Sequence, residues 1–165
     1  MKKLMLSVLV LVSSVAAATT SAAPAIGVID PMLRAGAASS AMSAVVDPYL
    51  RVQAKLAADT IEGLAAEATA IAAGAAKLGK DGAPVAVAAK QLQAATTIDA
   101  ARDAFWNVTT ALFAYADATK TDLGPDVRRT FCPMENKSWA QKNGEIMNPY
   151  AGKKMLHCGV FTDKK

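Results

Sequence analysis

Hydrophobic positions step along the first two thirds of this chain by three and four, the spacing that puts side chains on one face of a helix. Met42, Val45, Tyr49, Val52 and Leu56 form the first such stripe. Asp47-Pro48 falls inside it, so the pattern predicts a helix that starts at Pro48, with Asp47 as its cap, or one that bends there. Asp59, followed three residues later by Glu62, reads as a capping box that opens a second helix. Its stripe runs through Ile61, Leu64, Ala68, Ile71, Ala75 and Leu78, and Gly79 closes it. Val85, Ala88, Leu92 and Ala95 mark a shorter third helix. Thr97 caps a fourth, carried by Ile98, Ala101, Phe105, Val108, Leu112 and Tyr115 and ending near Thr119.

After Leu123 the pattern changes. Gly124-Pro125 breaks the helical period. Residues 126–134 and 155–162 then read as extended runs, with a short helix or irregular loop over 139–151 between them. A two-stranded unit is only marginally stable alone, so it should pack on the helices. The fold class predicted is all-α: an antiparallel four-helix bundle with a small C-terminal β-hairpin-like or irregular appendage over residues 126–165. The large alanine share suits closely packed helices, and Phe105, Trp106, Phe113 and Tyr115 supply most of the bulk.

Residues 1–25 read as a secretory signal peptide. Lys2 and Lys3 form the charged start, residues 4–15 the apolar stretch, and small residues follow. The expected product is a single helical domain over 26–165, soluble in the periplasm and carrying no membrane segment in its mature form. Charge supports separating the two parts. The chain has 18 basic and 14 acidic residues, but two of the basic ones lie in the leader. The rest is uneven: residues 26–125 carry 8 basic against 10 acidic groups, and residues 126–165 carry 8 against 4. Export, and the lack of interleaved aromatic and basic residues, argue against nucleic-acid binding.

Candidate chemistry is concentrated in residues 131–161. Both cysteines (Cys132, Cys158), the only histidine (His157), and Met134, Met147 and Met155 fall there. Thiolate, thioether and imidazole are the donors that select Cu(I), and less specifically Zn(II), over hard cations. In an extended run Cys132 and Met134 would share a face, as would Met155 and His157. Cys158 has the opposite parity to His157, so a site using both needs a bend at Gly159 or a position at a strand end. Arg128, Arg129, Lys137, Lys153 and Lys154 lie nearby in sequence, and cations beside a thiol favour its thiolate.

The residues Cys132-Pro133-Met134, Trp139, Ile146, Asn148-Pro149-Tyr150, Gly152, Met155 and Cys158-Gly159 together resemble the signature of a bacterial periplasmic family of unknown function. Members of that family occur alone or fused to adaptor proteins of copper and silver efflux systems. The likeness covers about the last 35 residues. It implies a periplasmic metal-handling role, with a metal-handling protein such as an efflux adaptor as partner.

Two readings of the pair stay open. In the first, Cys132 and Cys158, then His157, Met134 and Met155, and last Met147, bind Cu(I) or Ag(I). The protein is then a metal chaperone, buffer or resistance accessory working by ligand exchange. In the second, an exported chain with two cysteines forms one disulfide between Cys132 and Cys158, closing a loop of about 25 residues. The protein is then a stapled interaction module of the cell envelope without metal. Enzyme classes fit poorly. Adjacent His157 and Cys158 are not a separated nucleophile and base, the cysteines do not form Cys-x-x-Cys, and no phosphate loop or dinucleotide fingerprint is present. The expectation is a non-enzyme.

Overall fold

A computed structural model describes residues 31–163, with side chains from residue 39. The leader expected over residues 1–25 lies outside the described residues. Among the described residues there are four α-helices: α1 (Pro31–Ala57), α2 (Leu64–Ala76), α3 (Ala83–Gln93) and α4 (Ile98–Thr119). They are followed by strands β1 (Val127–Cys132), β2 (Lys137–Lys142) and β3 (Val160–Phe161). Each helix packs on the next in sequence, while β2 lies against both α1 and α4. No helix among the described residues is long and apolar enough to cross a membrane.

Pro48 neither starts α1 nor ends it; the helix runs through. A proline there cannot donate to the Ala44 carbonyl one turn back. Gly74 of α2 sits directly against that carbonyl, so close that a Cβ on Gly74 would overlap it. The freed carbonyl thus lies at a close approach of α1 and α2, and only a residue without a side chain fits there.

The second helix opens later than the capping box predicts. Its first residue is Leu64, preceded by Gly63 at φ 67 and without a side-chain cap. Asp59 is instead left-handed (φ 59) and bound elsewhere. Its carboxylate takes Arg102 from α4 at 2.6 Å and the Lys153 amide at 3.1 Å. A charge-assisted tertiary bond has displaced a local cap. Thr97 does cap α4, its hydroxyl accepting the Ala100 amide at 3.2 Å.

The all-α expectation is overturned by the C-terminal quarter of the chain. Residues 127–161 build a three-stranded antiparallel sheet in the order β2-β1-β3, with Thr130 opposite both Trp139 and Phe161. Most of β2, from Trp139 on, lies where a helix or irregular loop was predicted. Residues 155–162 supply only a two-residue strand, because Gly152–Met155 forms a 3-10 turn. Nor is the sheet an appendage: Trp139 and Ala140 are fully buried and join the same core as Tyr49, Phe105 and Leu112.

Strand β2 escaped the sequence pattern for a physical reason. A half-buried strand alternates polar with apolar residues, yet Trp139, Ala140 and Gln141 are all buried in a row. One face is covered by the helices, where the Tyr49 hydroxyl accepts the Ala140 amide at 3.0 Å. On the other, Trp139 meets the chain at Gly159, and Gln141 binds the loop above it. The Trp139 indole N–H donates to Gln141 Oε1 at 2.9 Å, which makes a buried glutamine tolerable.

Candidate thiol site

Cys132 is the last residue of β1 and is fully buried; Cys158 is half-buried in the segment before β3. Their sulfur atoms lie 2.7 Å apart, across 26 positions of sequence. The parity problem is solved by geometry at a strand end. The chain leaves the 3-10 turn through a Cys158 amide bonded to the Met155 carbonyl at 3.0 Å. It then passes over Trp139 at Gly159, where a Cβ would come within 2.7 Å of the indole edge and 3.2 Å of the Thr130 methyl. Any side chain at 159 would lift Cys158 away from β1.

The approach is held from behind by Asn148, which is completely buried. Its Nδ2 donates to the Cys158 carbonyl at 3.0 Å. Its Oδ1 accepts the Tyr150 and Ala151 amides at 2.9 and 3.2 Å, and its own amide donates to the Leu156 carbonyl at 2.7 Å. One asparagine thereby closes the loop that delivers Cys158. Arg102 adds a second hold, donating to the Pro149 carbonyl at 2.9 Å while bound to Asp59. Asn148 lies in a stretch that reads from sequence only as a turn. Arg102 and Asp59 give no sequence signal, because their partners are 43 or more positions away.

The other candidate donors lie in the β1–β2 turn and in the loop that carries Cys158. Met134 occupies the β1–β2 turn with 73% of its surface exposed. His157 is exposed, and its Nδ1 lies 2.9 Å from the Ile146 carbonyl. A carbonyl only accepts, so Nδ1 carries the hydrogen and Nε2 is the nitrogen left free to ligate. Met155 is half-buried in the 3-10 turn. Met147 is half-buried and tied through its main chain to Gln53 and Gln141. Among the described residues no three side chains of the His, Cys, Asp and Glu types converge on one point. The structure therefore joins the two cysteines and leaves His157 on its own partner.

Three of the five basic residues near the thiols in sequence are engaged with carboxylates instead. Arg128 pairs with Asp163 at 2.8 Å, Arg129 with Asp117 at 2.6 Å, and Lys137 with Asp103 at 3.1 Å. Each also lies over an aromatic ring, of Phe161, Phe113 and Tyr150 in turn. The Cys158 thiol is pushed up from its ordinary range, first by its hydrogen bond to Cys132, then by burial and the charge of Cys132. The Met134 amide opposes this.

The fold and the site together define an α+β domain with a preformed thiol pair. No family model, curated protein or solved structure matches the chain.

Proposed function

We propose that this protein is a non-enzymatic carrier of a soft monovalent cation, Cu(I) or Ag(I), in the periplasm, with Cys132 and Cys158 as its principal ligands. The observation that carries the reading is the contact between these two sulfurs, brought together by β1 and by the Asn148-held loop. Two metal–sulfur bonds of about 2.3 Å each require the sulfurs to part to no more than ~4.6 Å, a small movement from 2.7 Å. Thiolates with neighbouring thioethers favour Cu(I) over zinc, which would take Cys and His. Exposed Met134, two residues after Cys132, is the first candidate for an added ligand, with His157 and Met155 after it. Transfer would proceed by ligand exchange with a metal-handling partner of the efflux-adaptor kind.

A second reading is favoured by the same contact. Sulfurs this near need little motion to form a disulfide, and the protein would then be a stapled interaction module without metal. Titration of the reduced mature protein with Cu(I) against a competing chelator separates the two. Sub-nanomolar binding that is lost in Cys132→Ser supports the metal reading. Absence of binding by the reduced wild type, with a mass two hydrogens short as isolated, supports the second.

A further inference from the structure

We propose that Cys158 is the sulfur through which an external dithiol opens this site, so that a Cys132–Cys158 disulfide is the metal-refusing form and the dithiol the metal-accepting one. The gating consequence rests on the metal reading above; the thiol chemistry does not.

The two sulfurs are unequal in access. Cys132 ends a strand paired on both edges and has no exposed surface. Cys158 is only partly buried in the segment before β3, preceded by exposed His157, with exposed Pro133 and Met134 on the adjoining hairpin. Thiol–disulfide exchange goes to the sulfur that an incoming thiolate can reach. An attacking partner thiolate forms a bond to Cys158 Sγ, the Cys158–Cys132 bond breaks, and the electron pair leaves on Cys132, which takes a proton. The partner's second thiol then attacks the mixed disulfide. Cys158 leaves as thiolate and is protonated, and the partner departs oxidised. The two electrons come from the partner dithiol, and both protein sulfurs end as thiols.

The surroundings support this direction. The Asn148 bond to the Cys158 carbonyl and the packing of Gly159 on Trp139 hold Cys158 in place while the sulfur bond is open. The pair can thus reform without refolding. Run in reverse with a partner disulfide, the same steps convert a loaded dithiol into a disulfide and release the ion.

The test uses the full mature chain, oxidised, and exposed briefly to reduced glutathione before acid quenching and peptide mapping. Glutathione is expected on Cys158 over Cys132 by roughly tenfold or more, as access dictates. An equal split, a preference for Cys132, or failure of the chain to form the 132–158 disulfide under an oxidant overturns the proposal. In folded Cys132→Ser, checked by circular dichroism, Cys158 is expected to alkylate rapidly; in folded Cys158→Ser, Cys132 is expected to alkylate slowly. Cu(I) competition is then run on both redox forms. Binding by the dithiol alone supports the gate, and equal binding by the disulfide form overturns it. If the dithiol form binds no Cu(I), the metal reading fails, while the glutathione map still decides where the disulfide is opened.

Discussion

Arg102 in α4 reaches Asp59 in the α1–α2 connection at 2.6 Å, and the second oxygen of Asp59 takes the amide of Lys153 from the loop that carries Cys158. A helix, a turn and the thiol-bearing loop are thereby tied at one carboxylate. The Lys153 amide and the Arg102 guanidinium hold the Asp59 carboxyl below its ordinary value of 3.8. A carboxyl whose pKa is depressed on folding stabilises the protein above its unfolded pKa, and that contribution disappears as pH falls through the folded pKa. Stability should therefore decline as pH is lowered from about 5 past 3.8. Asp59→Asn should flatten that slope, and urea midpoints at pH 6 and pH 3 check it. Asp117 and Asp163 are shifted the same way by Arg129 and Arg128, so part of the slope should survive in the variant.

Gly152 stands against the same carboxylate. Its φ is +55, and a Cβ would overlap the Asp59 carboxyl and crowd Arg102. Gly152→Ala should cost about 2 kcal/mol from backbone strain alone, more if the ion pair is displaced. Because the loop behind Gly152 delivers Cys158, the variant should also form the 132–158 disulfide more slowly. Chemical denaturation and the rate of thiol loss under a mild oxidant measure the two effects.

Tyr49 couples the helices to the sheet. Its hydroxyl accepts the Ala140 amide at 3.0 Å and lies 2.9 Å from the Thr109 hydroxyl, and Tyr150 closes the group by donating to the Ser138 carbonyl at 2.8 Å. Burial pushes the Tyr49 phenol far up, so it remains a neutral donor and acceptor across the working pH range. Tyr49→Phe leaves a buried amide without its acceptor and should destabilise by about 1–3 kcal/mol. Hydrogen exchange should quicken at Ala140 more than within α2, which Tyr49 does not bridge to the sheet.

The oxidised and reduced proteins should differ in stability. A bridge across 26 positions restricts the unfolded chain, which the chain-entropy model credits with about 3.5 kcal/mol. Guanidinium unfolding with and without a reductant measures this. Loss of the bridge should leave the protein folded, because Trp139, Tyr150 and Asn148 keep the sheet on the helices without it.

Helical stripes were legible along the chain because a helix writes its core face into neighbours three and four residues apart, as Phe105, Val108 and Leu112 do in α4. The concentration of sulfur and imidazole in residues 131–161, and the pairing of Cys132 with Cys158 as one possibility, were likewise plain from residue types and counts. Tertiary structure alone decided the rest. It turned Lys137–Lys142 into an edge strand buried on both faces, because helices cover one face and the 143–159 loop the other, which erases the alternation a strand otherwise shows. It drew Asp59 away from a local cap to a distant arginine, and engaged Arg128, Arg129 and Lys137 with carboxylates rather than thiols. These outcomes depend on partners in other elements of the fold, whose positions are set only once the chain has closed on itself.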